Sequence, residues 1–184
     1  MSMEFEPFAK IARLHRDIVI TEKIDGTNAQ VCIDDDGAVR AGSRSRWITP
    51  QDDNYGFARW VAEHADGLRE LGPGRHIGEW WGSGIQRNYS QTSKRFSLFN
   101  VGRWRDARPA CCDVVPTLYE GPFSYSEIRK AMKRLETEGS VAAPGFMKPE
   151  GIIVWHTAAR LLFKVTLEKD EEPKSATRML QAAE

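Results

Sequence analysis

A lysine stands at the end of a short apolar run and is followed three residues later by a glycine: Asp17-Ile18-Val19-Ile20 leads into Thr21-Glu22-Lys23-Ile24-Asp25-Gly26-Thr27-Asn28. The run predicts a buried strand, and Ala29-Gln30-Val31-Cys32-Ile33 alternates like the strand after it. Gly26 supplies the turn, so Lys23, Asp25 and Asn28 are expected where one strand gives way to another. A lysine amine is a weak nucleophile at its free pKa. Attack on phosphorus therefore needs a site that depresses that pKa, through desolvation or neighbouring positive charge such as metal and further lysines. Asp25 and Asn28 carry groups suited to nucleotide sugar or phosphates, and Gly26 admits a close backbone approach.

Further segments follow in order: Gly42-Ser43-Arg44, His76-Ile77-Gly78-Glu79-Trp80-Trp81-Gly82, Phe96-Ser97-Leu98-Phe99-Asn100-Val101, Pro149-Glu150-Gly151-Ile152-Ile153-Val154 and Leu162-Phe163-Lys164-Val165. With Lys23-Ile24-Asp25-Gly26 they resemble the covalent nucleotidyltransferase superfamily of ATP-dependent RNA ligases, DNA ligases and mRNA capping enzymes. The form Glu-Lys-Ile-Asp-Gly-Thr-Asn is most similar to RNA ligases of the phage nick-sealing type. A lone Lys-x-Asp-Gly match is weak, but six matches in order across most of the chain are not a chance pattern.

The resemblance implies an α+β fold, a nucleotidyltransferase (ATP-grasp-like ligase adenylation) domain of antiparallel sheets with flanking helices. It implies that Lys23 attacks ATP to form lysyl-AMP, with Glu22, Ile24, Asn28, Arg44, Glu79, Phe99 and Lys164 around the nucleotide and Glu150 beside Mg²⁺ or Mn²⁺. AMP would then pass to a 5′-phosphate and be displaced by a 3′-hydroxyl, on RNA ends or nicks, as in RNA repair. In the resembling ligases the residue before the lysine contacts the adenine amine; a Glu22 carboxylate accepts from that amine and would face the carbonyl of guanine, which favours ATP over GTP. The alternatives are a DNA ligase or GTP-using capping enzyme, and a non-catalytic nucleotide or RNA-end binder. Thr166 departs from the pattern, since many family members carry a second lysine there; Lys169 or Arg160 are the candidates to replace its charge.

Each position also has a plainer role. Glu79 as an edge carboxylate facing water is disfavoured, because Trp80, Trp81, Gly78 and Gly82 describe a close-packed tract where an unpaired charge is costly. Phe96 rivals Phe99 for any stacking role, an aromatic on an apolar strand being usually core. Arg44 and Arg46 lie in a polar stretch, where a solvated role is as good a reading as a ligand contact. Glu150 before a glycine also reads as a turn carboxylate, and the ordered motifs favour the functional role.

The 184 residues carry 26 basic and 26 acidic side chains, for a net charge of zero, with 41% hydrophobic residues to fill a core. This predicts one domain over 1–184 and argues mildly against a large nucleic-acid footprint. The loop Gly82 to Arg95, with Arg87, Asn88, Tyr89, Ser90, Gln91 and Lys94, reads either as a backbone-gripping patch or as an ordinary solvated loop. About 20 residues follow Lys164, too few for the OB or helical module that family ligases append, so a minimal core and a protein partner supplying nucleic-acid binding are expected. Three cysteines without zinc or disulfide spacing, no membrane-length apolar run, and Glu4 and Glu6 in place of a signal pattern predict a cytoplasmic protein. The four scattered histidines have no ligand spacing. One helix is expected from Asp53 to Leu71 and a second from a Ser124 capping box to Gly139, with a short helical pattern through Met179 and Leu180; Asp34-Asp35-Asp36-Gly37 predicts a hairpin turn.

Overall fold

The computed structural model describes residues 3–168; the helical pattern through Met179 and Leu180, and Lys169, lie outside them. Two sheets divide the chain. The first has strand order β10-β9-β1-β8, from β1 (Asp17–Lys23), β8 (Thr117–Pro122), β9 (Gly151–His156) and β10 (Leu161–Thr166). The second has order β4-β3-β2-β5-β6-β7, from β2 (Thr27–Ile33), β3 (Val39–Ser43), β4 (Trp47–Ile48), β5 (Gly74–Gly82), β6 (Lys94–Leu98) and β7 (Asp113–Val114). Pairing is antiparallel as expected, except that β6 and β7 run parallel over one short contact. The chain passes from the first sheet to the second over residues 24–26, the predicted turn.

Each sheet buries one face under helix. Against the second sheet pack α1 (Phe57–Glu63), α2 (Ala65–Leu68) and a 3₁₀ turn (Arg69–Leu71), placing Phe57, Val61, Leu68 and Leu71 on Trp80, Phe96 and Leu98. Phe57 sits at the centre, 5.3 Å from Trp80 and 5.1 Å from Phe96 between ring centroids. Against the first sheet packs α4 (Tyr125–Glu138), whose Ala131 and Leu135 meet Ile18, Ile20, Ile152 and Val154. A third cluster, Ile24, Trp81, Tyr89, Val101, Val115 and Ala143, fills the seam between the sheets, with the short α3 (Val101–Trp104) at its side.

Two helix expectations are corrected. The first helix starts at Phe57 instead of Asp53, because Tyr55 and Gly56 are left-handed (φ 54° and 80°). Asp53 stays outside and its carboxylate accepts from the amides of Ala58 (2.7 Å) and Arg59 (3.1 Å), where the helix's unpaired donors favour an anion. The helix also breaks at His64. The second spans the expected residues, but the Ser124 hydroxyl pairs with that of Ser126 (2.7 Å), so no capping box forms. The Asp34 to Gly37 stretch is the hairpin turn between β2 and β3, with the Gly37 amide on Asp34 O (2.9 Å).

Removing the Phe57 ring leaves a cavity that three neighbouring aromatics cannot collapse into. Phe57→Ala should lower unfolding free energy in urea by about 3–5 kcal/mol; a loss under about 1 kcal/mol would show that the centre of this core is elsewhere.

Candidate active site

Strand register assembles the site. Lys23, the last residue of β1, lies opposite Gly151 of β9, so Glu150 falls beside it, and the Lys23 ammonium is ion-paired with the Glu150 carboxylate. Lys23 retains 20% exposure of its side chain and Glu150 only 7%. In the second sheet Asn28 of β2 lies opposite Glu79 of β5, and its side-chain amide donates to Glu79 Oε2 at 2.9 Å. The other Glu79 oxygen accepts the Gly26 amide at 3.0 Å. A side chain at Gly26 has no room, since a Cβ there would meet Trp80 O at 2.4 Å and Trp81 Cβ at 2.7 Å. Lys23, Glu79, Asn28 and Glu150 are thus brought together where the sheets meet.

Burial pushes the Glu79 carboxyl up to about 7, against the opposing pull of the Gly26 N–H, the Lys23 charge and Asn28; the Glu150 charge adds to the rise. Among the described residues no buried side-chain polar atom lacks a hydrogen-bond partner, so the seam is satisfied as it stands.

Glu22 points to the other face of β1, as strand alternation requires. Its carboxylate accepts from Ser140 Oγ (2.5 Å) and the amides of Val141 (2.8 Å) and Ala142 (2.9 Å), with the side chain fully enclosed and its pKa raised by burial. The structure gives it the task of tying down the loop after α4. Ile24 puts its side chain into the seam core. Arg44 is exposed in the turn between β3 and β4, apart from the Lys23 cluster's hydrogen bonds, while Arg46 forks onto Asp52. Phe96 is wholly core beside Phe57, and Phe99, two residues beyond the register partner of Glu79, is 39% exposed. Of the two aromatics, only Phe99 is open to a ligand.

Lys164 is exposed on β10 opposite Ile153, itself opposite Thr21, so it shares the sheet face of Lys23. Thr166 lies in the row Thr166, Gly151, Lys23, level with the candidate nucleophile. Arg160 lies in the turn just before β10, about 20 Å from Thr166 at roughly 3.3 Å per residue of strand, too far to replace a lysine there.

Three partners were not foreseen from the sequence: Tyr89, Arg87 and Ser140. The Tyr89 hydroxyl accepts the Asp25 amide at 2.9 Å, and Arg87 Nε donates to Asp25 Oδ2 at 3.0 Å. Asp25 is therefore engaged with protein. The other cations of that stretch lie on β6: Arg95 pairs with Asp113 (2.8 Å), while Lys94 donates to Tyr55 O (2.8 Å), a neutral acceptor that leaves its charge in place. The one signal in sequence was Tyr89, the single aromatic of the loop.

The described residues hold no group of three or more His, Cys, Asp or Glu side chains suited to a metal. Glu150 and Glu79 are oxygen donors, and a hard divalent cation such as Mg²⁺ is ordinarily held by one or two carboxylates together with substrate phosphates, so the donor set fits. Among the described residues no helix is long and apolar enough to cross a membrane.

A family profile described as RNA ligase matches residues 16–166, and the chain belongs to that family. Solved structures of Naegleria gruberi RNA ligase variants share the fold. One with AMP and Mn superposes with TM-score 0.62 at 19% identity, covering 83% of this chain and 50% of that one. Another with ATP and Mn gives 0.63 at 19% identity over 86% and 53%, and a third with ATP and Mn gives 0.61 at 18% over 91% and 53%. The chain thus spans about half the length of the ligase chains it matches. No curated protein matches it.

Because the Glu79 carboxyl titrates near 7 in the folded chain and near 4.5 in its ordinary state, between those pH values the folded chain holds a proton that the unfolded chain has released. Its contribution is therefore intact below about 4.5 and lost as pH rises to about 7, a fall of about 3 kcal/mol. Denaturation across this range should show that slope flattened in Glu79→Gln; an unaltered slope would remove Glu79 as its source.

Proposed function

We propose that this domain performs nucleotidyl transfer for an ATP-dependent RNA ligase of the nick-sealing type, with Lys23 as nucleophile. The observation that carries the reading is the Lys23 ammonium held on buried Glu150 beside the Glu79–Asn28 pair, within a stretch that matches the RNA ligase family. The ammonium must first lose a proton, and the Glu150 carboxylate in contact with it is the nearest acceptor. The Lys23 nitrogen then forms a bond to the α-phosphorus of ATP as the bond to the bridging oxygen breaks, and pyrophosphate leaves with the electron pair. A divalent cation at Glu150 would supply charge neutralisation on the phosphates. Lys164, on the same sheet face, would neutralise the α-phosphate, and exposed Phe99 would offer a ring to the purine.

AMP would next pass from Lys23 to a 5′-phosphate of RNA, releasing the amine, and an adjacent 3′-hydroxyl would displace AMP to close the phosphodiester. ATP and a divalent metal are supported by the ligands of the similar Naegleria structures. The second reading, a binder of nucleotides or RNA ends without catalysis, draws on Thr166 in the row of Lys23.

With ATP labelled at the α-phosphate and Mg²⁺, the wild type should retain label on a denaturing gel and Lys23→Ala and Lys23→Arg should not. The arginine keeps a cation opposite Glu150 but stays protonated, so it isolates nucleophilicity from charge. Label on either variant would exclude Lys23 as nucleophile, and an unlabelled wild type that still binds ATP would favour the binding module. In the same assay Glu22→Gln tests base choice: a smaller preference for ATP over GTP assigns it to the nucleotide, and an unchanged ratio leaves it only the loop after α4.

A further inference from the structure

Residues 86–90 hold an unusual backbone. Four of the six described non-glycine residues with positive φ lie here: Gln86, Asn88, Tyr89 and Ser90, at 43°, 61°, 51° and 53°. Asn88, Tyr89 and Ser90 are consecutive, so they form a turn of left-handed chain, which L-residues adopt only where their surroundings over-determine it.

What over-determines the turn is the seam. The Tyr89 ring is fully enclosed, edge-on to Trp81 at 5.3 Å and against Phe146 at 4.6 Å, and its hydroxyl accepts the Asp25 amide. Arg87 is turned inward by the same path. Its Nε donates to Asp25 Oδ2 at 3.0 Å, one terminal nitrogen donates to Lys148 O at 3.2 Å, and the other reaches Glu168 at 3.5 Å. The last contact is long and its acid exposed, so it adds little. The first two join the crossing that carries Lys23 to the segment that delivers Glu150 two residues later. A planar guanidinium with several donors in fixed geometry suits such a strut, where lysine would not.

We propose that Arg87 and Tyr89 are positioning residues for nucleotidyl transfer: they hold the crossing between the sheets, through Asp25 and Lys148, so that Lys23 and Glu150 keep one geometry relative to the incoming phosphate. Neither touches nucleotide or RNA. In-line attack is sensitive to displacements of about 1 Å, so a loosened crossing slows the chemical step more than it weakens ATP binding. The proposal rests on the ligase reading for its activity readout and on the hydrogen bonds for the latch itself.

The test is single-turnover labelling of the full chain by α-labelled ATP and Mg²⁺, without polynucleotide, for Arg87→Met, Asp25→Asn and the double variant, each verified as folded by circular dichroism. Arg87→Met should slow labelling about ten- to a hundredfold, the weight of a charge-assisted hydrogen bond. The ATP concentration for half-maximal rate should stay within about twofold, and the double variant should be no slower than the slower single one, as expected of residues acting as a unit. Additive losses would overturn the proposal, as would wild-type labelling by Arg87→Met; a loss then found only in a separate assay of nicked-RNA sealing would make Arg87 a nucleic-acid contact instead. A wild type that takes no label defeats the ligase reading instead. The latch is then judged by hydrogen exchange at the Asp25 amide: faster exchange in Tyr89→Phe supports it, and an equal rate overturns it.

Discussion

The crossing from β1 to β2 over residues 24–26 is the constraint on which the rest depends. Three residues must carry the chain from one sheet to another while leaving a lysine at the end of a strand of the first. Such a segment has no ladder of its own to satisfy its backbone. Its donors are taken instead by side chains from a distance, the Asp25 amide by Tyr89 and the Gly26 amide by Glu79. Ile24 anchors it in the seam core, and the tight approach of Trp80 and Trp81 to Gly26 leaves no space for a side chain. Lys23, immediately before this segment, is therefore tied to the contacts that hold the two sheets together.

The same seam concentrates buried carboxylates. Glu22, Glu79 and Glu150 are each almost enclosed, and each survives burial because a specific set of donors or a cation faces it. The three differ in what they do. Glu22 ties the loop after α4 to the back of β1, Glu79 holds the crossing from the second sheet, and Glu150 meets the ammonium of Lys23. Only the last two lie on the Lys23 side of the seam.

Much of this was legible because chemistry and backbone coincide in short segments. A strand ending in lysine, a glycine turn and an alternating strand specify the crossing locally, and the tract around Glu79 announces its burial by its tryptophans and glycines. The RNA ligase family and the two-sheet fold agree with the ordered motifs. What stayed hidden depends on contacts between distant positions. Nothing local to Arg87 or Tyr89 reveals that they meet Asp25, and a left-handed turn of non-glycine residues has no sequence signature. The start of α1 was misplaced because Asp53 looks the same whether it begins a helix or sits beside its first turn as an anion. The choice between Phe96 and Phe99 needed register and burial, which only the assembled sheet supplies.

The most direct test of the central claim, that Lys23 at the crossing is the residue that takes up the nucleotide, is peptide mapping by mass spectrometry after incubation with ATP and Mg²⁺. The account predicts one AMP adduct, on the peptide carrying Lys23 and bonded to its side-chain nitrogen. An adduct confined to another lysine, such as Lys164, would contradict it.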